Sequence, residues 1–202
     1  MFITFEGIEG SGKSTQINLW RQHLEQLGRH VIVTKEPGGS IFGQQIRSIL
    51  LDPETHLMDH RTELLLFTAD RLEHLAQVIK PALQNGHTVL CDRFIDSTFA
   101  YQMAGRQTDL SLVNQLCEMI DCMPTKTILY DLPVELGLSR AKQRAALDRF
   151  EQESIAFHES IRSCYLSRAT AEPNRFFVID VAHLTPEQVF KKSCNQVKLT
   201  LL

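Results

Sequence analysis

No run of this 202-residue chain is apolar for long enough to cross a bilayer, and the amino terminus enters a short strand-like segment without a basic flank. Neither a membrane span nor a secretory leader is therefore expected. Cysteine is sparse and unpatterned: Cys91, Cys117, Cys122, Cys164 and Cys194 are odd in number and form no C-x-x-C pair. Two of them sit in apolar runs, where a reduced thiol behaves as a small hydrophobe, and a cytoplasmic compartment is the expectation. Neither sign of charge dominates, with 21 Lys and Arg against 24 Asp and Glu and a net charge of −3. That balance leaves no electrostatic footprint for binding nucleic acid as a polymer, so an anionic partner must be small and held by local positive groups. No internal repeat, low-complexity tract or linker interrupts the chain, and residues 1–202 are expected to form one domain with a substantial core. Its 43% apolar and 22% charged residues are ordinary for a globular protein.

What the chain does contain is Gly7-Ile8-Glu9-Gly10-Ser11-Gly12-Lys13-Ser14, a match to GxxxxGK[ST]. Glycines let the backbone turn with positive φ, so that successive N–H groups point inward as an anion-binding nest. Lys13 adds a point charge for the β and γ phosphates of a nucleotide, and Ser14 a hydroxyl for Mg²⁺. The helix that begins there aims its positive end at the same phosphates. Such a loop needs a strand before it and a helix after it: Met1 to Phe5 is an apolar, β-favouring run, and Ile17, Trp20, Leu24 and Leu27 recur at helical spacing until Gly28. A chance match in a chain of this length is on the order of one in a hundred.

The alternation continues. Val31 to Val33 makes a strand–helix–strand unit with short connections, which implies a parallel sheet with helices on its faces. The turn-rich stretch Thr34 to Ser40, containing Glu36 and Pro37, follows at the carboxyl end of that strand, where open α/β sheets place ligands; a plain surface turn is the alternative. A helix through Gln44 to Leu51 should bury Ile46, Ile49 and Leu50, and Arg47 within it reads as either a solvated charge or a phosphate ligand. In the helix from about Arg61 to Gln84, Leu65, Leu72, Ala76, Ile79 and Leu83 form an apolar stripe. Phe67 lies about 200° from Leu65 at ~100° per residue, with Arg71 one turn on. Together these two can stack on and hydrogen-bond a planar base, or pack on a neighbour and sit in solvent. Pro81 should kink the last turns or restart the helix.

Thr88 to Cys91 is another strand and ends in Asp92-Arg93. A carboxylate at a strand tip in a phosphate-loop protein can hold Mg²⁺, directly or through its waters. Arg93 beside it needs an anion in reach, and a second phosphate-bearing substrate would supply one. Ser97, Tyr101 and the adjacent Gln102 place a hydroxyl, an aromatic and an amide along one helical face. A helix at about Leu110 to Ile120 and a strand at Thr127 to Tyr130 precede a cluster of cations, Arg140, Lys142, Arg144 and Arg149. A charge run is usually a solvated face, but the same cluster suits a phosphoryl-transfer lid, because charge accumulates on the transferred group. A long helix ending before Pro173, a fifth strand at Phe176 to Ile179 and a capping box at Thr185 to Gln188 complete a three-layer α/β reading: a five-stranded parallel sheet flanked by helices.

Five patterns in this order resemble the thymidylate kinase family: FEGIEGSGKST at the start, EPGGS at residues 36–40, LLFTADR at 65–71, DRFIDSTFAYQ at 92–102 and RAKQRAALDRFEQES at 140–154. The resemblance implies the P-loop NTPase-type fold and a single nucleoside monophosphate kinase domain with a lid at about 140–150. It also implies transfer of the ATP γ-phosphoryl group to dTMP with Mg²⁺, giving dTDP for dTTP synthesis. By that resemblance Gly7, Ile8, Glu9, Gly10, Ser11, Gly12, Lys13 and Ser14, with Arg140 and Arg149, bind ATP, and Ser14 and Asp92 serve the metal. Glu36, Pro37, Phe67, Arg71, Arg93, Ser97, Tyr101 and Gln102 form the acceptor pocket, Phe67 stacking on thymine, Arg71 at the base edge and Arg93 on the acceptor phosphate. Lys13, Arg93, Glu9 and a lid arginine carry the chemistry. Where some relatives have an arginine in the phosphate loop this chain has Gly10, so the catalytic cation is expected on the lid, with Arg144 first and Arg140 and Arg149 behind it; Lys142 stands where relatives often carry arginine. No general base is expected, since the acceptor is already a phosphate oxygen. A homodimer is implied, with no nucleic acid polymer and no membrane as partner. The alternatives are another nucleotide or nucleoside kinase on the same scaffold, or a nucleotide-binding module that transfers no phosphate. No NKxD motif is present, which counts against a GTPase switch.

Overall fold

Five short strands line up in parallel in the order β2-β3-β1-β4-β5 in the computed structural model, which describes residues 1–55, 57–143 and 148–197. They are β1 (Phe2–Glu6), β2 (Val31–Lys35), β3 (Thr88–Asp92), β4 (Lys126–Asp131) and β5 (Phe176–Asp180). The central β1 is buried along its whole length between β3 and β4, while the edge strand β2 is half exposed, with Val33 at 46%. Short apolar runs without polar alternation are what a sheet covered on both faces demands. From β1 the chain passes to β2 on one side of the sheet, and from β3 it passes to β4 on the other. The carboxyl ends of these two neighbours, Phe5 opposite Asp92, therefore frame the crevice where open α/β sheets bind ligands.

The helices are α1 (Lys13–Gln26), α2 (Ile41–Leu51), α3 (His60–His74), α4 (Lys80–Gln84), α5 (Ile95–Ser97), α6 (Leu110–Cys117), α7 (Val134–Lys142), α8 (Ile155–Ala171) and α9 (Pro186–Val197) among the described residues. The larger core cluster joins Ile3, Phe5, Trp20, Tyr130, Ile161, Tyr165 and Phe176, and a smaller one gathers Phe2, Leu75, Ile79, Val89 and Phe94. Trp20 packs edge-on against Phe190 at 5.7 Å and donates its indole N–H to Ser193 Oγ at 3.2 Å, which ties α1 to α9. The capping box forms at the start of α9: Thr185 N donates to Gln188 Oε1 at 2.9 Å and Gln188 N to Thr185 Oγ1 at 3.3 Å.

Three expectations about packing require correction. Leu65 is 52% exposed and Leu64 is buried instead, so the inward face of α3 runs through Glu63, Leu64, Thr68, Asp70, Arg71 and His74. An apolar template misplaces this face because its polar side chains are turned inward onto partners from other elements, Arg71 and His74 onto Glu36 and Glu63 onto Arg106 and Arg149. A π-helical turn, Leu75–Ile79, then inserts an extra residue before the helix restarts at Lys80 with Pro81 in its first turn, where a missing N–H costs nothing. Ile49 is 46% exposed while Ile46 and Leu50 are buried, and Leu27 lies beyond the end of α1 at 44%.

Candidate active site

The phosphate loop connects β1 to α1 through Gly7 (φ 136°), Gly10 (φ 69°) and Gly12 (φ 87°). At Gly10 the conformation and the space agree: a Cβ would run into the carbonyl of Gly137 in α7. The site where an arginine would enter the loop is thus closed by the backbone. Lys13 Nζ donates to the carbonyls of Gly7 (2.9 Å) and Ile8 (3.0 Å) and to Ser11 Oγ (3.3 Å). Burial, aided by the nearby Arg93 charge, lowers its pKa to about 8. Ser14 Oγ stands 3.4 Å from Asp92 Oδ2 at the mouth of the crevice. Among the described residues no group of three or more His, Cys, Asp or Glu side chains could hold a metal without help. These two hard oxygens suit an ion such as Mg²⁺ that completes its shell with water and substrate phosphate.

Arg93 follows β3 with φ 69°, a conformation that costs a non-glycine residue energy and persists only where its surroundings hold it. Here they do. Its guanidinium donates to Gly7 O (2.9 Å), Glu9 Oε1 (3.0 Å) and Tyr165 OH (3.3 Å) and lies 4.8 Å above the Tyr101 ring. Glu9 also accepts from the Tyr101 hydroxyl, and His158 Nδ1 lies 3.2 Å from its other oxygen. Burial pushes the Glu9 carboxyl up, but His158, Arg93, Lys13 and Tyr101 together hold it well below the usual carboxylate range.

The same cleft, of about 510 Å³, extends from this loop to Phe67, Arg71, Ser97, Tyr101 and Gln102, with Glu36 and Pro37 on its wall. Phe67 faces Phe150 at 5.9 Å, and Phe150 meets Tyr101 edge-on at 5.7 Å, so three rings bound the far end. Arg71 is buried and donates to Glu36 Oε2 and Thr98 Oγ1, each at 2.7 Å. Gln102 Nε2 donates to Glu63 Oε1 at 3.0 Å. Ser97 lines the cleft, but its hydroxyl lies within 2.7 Å of both Glu6 Oε2 and Tyr165 OH. Arg47, for which a solvated position was one alternative, reaches the cleft and donates to Pro37 O at 2.7 Å.

The lid is where the structure departs from expectation. Arg144 lies outside the described residues. Arg140 does not line the cleft, because it donates to Ala182 O at 3.0 Å. Arg149 is buried away from it, paired with Glu63 at 2.7 Å and donating to Leu50 O at 2.9 Å. The cause is Glu63, fully buried in α3, whose charge draws in both Arg149 and Arg106. Gly7 and Ile8 also stay off the cleft surface and contribute their carbonyls. Asp148, Phe150 and Glu151 line it instead, unanticipated from sequence although the first caps its own turn, Asp148 Oδ1 accepting from Phe150 N and Glu151 N at 2.9 Å.

Two buried acids behind the cleft were also missed. Glu6 accepts from Phe94 N (2.8 Å), Ser97 and Tyr165, and burial with the Asp96 charge raises its pKa to about 7. Asp70 accepts from Gly38 N at 2.9 Å through Oδ1, while Oδ2 is buried without a partner. Burial and then Glu36 raise its pKa from 3.8 to about 6. Between those values the folded chain binds more protons than the unfolded one, so stability from this group falls as pH rises through the window. Asp70→Asn keeps the acceptor for Gly38 and removes the titration. Its stability relative to the parent should grow from pH 4 to 6 and level off at a gain of about 1–3 kcal/mol. Urea unfolding at pH 4.5 and 8 reads this directly, and an equal difference at both pH values would refute it.

The thymidylate kinase family model matches residues 5–192. A thymidylate kinase of Alcanivorax borkumensis is 50% identical over 183 residues, covering 90% of this chain and 88% of that one. One from Syntrophotalea carbinolica is 48% identical over 207 residues, covering 98% and 94%. The crystal structure of thymidylate kinase from Ehrlichia chaffeensis superposes with a TM-score of 0.81 at 33% identity, covering 98% of each chain.

Proposed function

The chain belongs to the thymidylate kinase family, a group of P-loop kinases, and we propose that its one continuous cleft holds ATP at the phosphate loop and dTMP at the aromatic end, phosphate to phosphate. The reaction is phosphorylation of dTMP to dTDP at the expense of ATP, for dTTP synthesis. The observation that carries the assignment of the two ends is Arg93. It lies at the junction, bonded to Gly7 of the loop and stacked on Tyr101 of the acceptor pocket.

Phosphoryl transfer depends on alignment and charge stabilisation more than on covalent chemistry. In our reading Lys13 turns from the Gly7 and Ile8 carbonyls to the β and γ phosphates, and Arg93 holds the acceptor phosphate in line with them. Glu9 and Tyr101 fix Arg93 and meet the sugar. Phe67 stacks on the base, Arg71 bonds its edge, and Gln102, Ser97, Glu36 and Pro37 shape the wall. Ser14 and Asp92 would hold Mg²⁺, which when bound neutralises charge on the phosphates. Gly10 leaves no arginine in the loop, and Arg140 and Arg149 are engaged elsewhere, so we assign the lid cation to Arg144. The lid would cover about residues 140–150 of a single domain. We further propose a homodimer joined through α2 and α3, which expose Ile41 (81%), Phe42 (51%), Ile49 (46%) and Leu65 (52%). A cytoplasmic location is proposed from the five cysteines, all free.

ADP release from Mg-ATP across dTMP, dUMP, dCMP, dGMP, UMP and thymidine tests the acceptor end. Stimulation by dTMP should exceed that by dCMP or UMP at least tenfold, on the order expected when a buried polar group is left unpaired by the wrong base. Preference for thymidine would remove the acceptor-phosphate role of Arg93, and no stimulation by any acceptor would leave a binding module.

A further inference from the structure

A row of hydrogen-bonded side chains runs from half-buried Thr34 through His74, which does not line the cleft, to Glu36, Arg71 and Thr98 on the cleft wall. Thr34 Oγ1, on β2, lies 2.6 Å from His74 Nε2; His74 Nδ1 lies 2.9 Å from Glu36 Oε1; Glu36 Oε2 accepts from Arg71 Nε at 2.7 Å; and Arg71 Nη1 donates to Thr98 Oγ1 at 2.7 Å. The His74 side chain is 0% and that of Glu36 2% exposed, so water does not compete for the bond between them. A carboxylate can only accept, so His74 Nδ1 donates to Glu36, and the Thr34 hydroxyl completes the row at Nε2. The ring is also the floor of the 36–40 loop, since a Cβ on Gly39 would run into it.

We propose that His74, with Thr34, is a positioning residue for base recognition, fixing the Glu36 carboxylate so that Arg71 presents Nη2 at one point of the pocket. With Nε and Nη1 engaged, Nη2 is the guanidinium nitrogen without a partner among the described residues. A guanidinium locked in this way offers donors where a keto oxygen accepts, and it opposes an exocyclic amino group, itself a donor. The relay therefore sets the preference of a keto pyrimidine over an amino pyrimidine. This rests on the reading of Arg71 as the base-edge ligand, so Arg71→Met is measured in parallel.

Asparagine can reproduce the Nδ1 donor to Glu36, whereas glutamine reproduces the Nε2 end and leaves Glu36 unsupported. Steady-state kinetics and calorimetric titration with dTMP and dCMP are run on His74→Gln, His74→Asn, Thr34→Val and Arg71→Met. For His74→Gln, KM for dTMP should rise about tenfold, the scale of a lost hydrogen bond to a charged group. Its kcat should stay within about threefold, KM for ATP should not move, and the preference for dTMP over dCMP should fall about tenfold by the same principle. His74→Asn should recover most of this, and Thr34→Val should shift in the same direction by a smaller factor, which keeps the test open if His74→Gln does not fold. The relay is refuted if His74→Gln and Thr34→Val leave preference and KM unchanged while Arg71→Met alters both. It is also refuted if the Asn and Gln variants are equally impaired, since packing would then be the cause. If Arg71→Met leaves preference intact, the base-edge reading and the relay fall together.

Discussion

Lys13→Ala should lower kcat by about three orders of magnitude or more, the scale of removing a preorganised charge from a phosphoryl-transfer site, while leaving the melting temperature unchanged or slightly higher. The first half follows from reach: Lys13 Nζ is held over the loop by the Gly7 and Ile8 carbonyls, within the nest proposed to receive the phosphates. The second half follows from burial. Desolvation and the Arg93 charge lower the pKa of Lys13 from 10.5 to about 8. A depressed ammonium pKa means that folding disfavours the charged form, so below pH 8 the charge is a cost to the native state. Alanine removes that cost together with some stem packing, and the two oppose each other. Turnover and circular dichroism melting at pH 7 check both halves. Near-normal turnover would sink the assignment of Lys13, and a large loss of stability would show that its bonds to the loop hold the fold rather than await a ligand.

The β-strands and the phosphate loop were legible in the sequence because each depends on nearby residues. Five apolar runs became five strands, and the loop glycines took positive φ, with close approach of other backbone at Gly7 and Gly10. Arg93 and Asp92 could be placed because a strand tip beside the loop leaves them nowhere else to go. What stayed hidden is long-range and polar. Glu63 looks like a surface residue of an amphipathic helix, yet it is buried and draws in Arg106 and Arg149 from 43 or more positions away. Nothing local signals that Arg149 will be spent on a carboxylate in α3 rather than on a phosphate. The reversal of Leu64 and Leu65 has the same origin, since a template that counts only apolar residues puts Arg71 and His74 outside. Asp96 is likewise buried, held by Arg168 at 2.7 Å and Arg175 at 2.6 Å, and pins β4, β5 and α8 to the cleft's rear wall without touching it.

Arg93→Met should cut kcat/KM for dTMP by about 10³ or more, corresponding to ~4 kcal/mol of transition-state stabilisation. It should also lower stability by about 3 kcal/mol, the usual scale when one partner of a buried ion pair is removed. The two losses have different sources and are separable. Activity is lost because no cation meets the acceptor phosphate; stability is lost because Glu9, 8% exposed, keeps a negative charge with one fewer counter-charge. Glu9→Gln in the Arg93→Met background removes that charge, and the Gln side chain still offers Tyr101 an acceptor. The double variant should therefore regain most of the stability and none of the activity. Urea unfolding and steady-state kinetics on the two single variants and the double form a cycle, whose coupling energy should be about 1–3 kcal/mol for residues this close. A double variant as unstable as Arg93→Met alone would place the loss in the strained backbone at residue 93 instead, and an unchanged KM for dTMP in Arg93→Met would remove it from the acceptor phosphate. The expected outcome has a physical reading: an arginine in a left-handed conformation between the two proposed substrate ends of the cleft is tolerated because Glu9, Gly7 and the Tyr101 ring over-determine it. The rigidity that holds it there is what lets it meet a phosphate without reorganising.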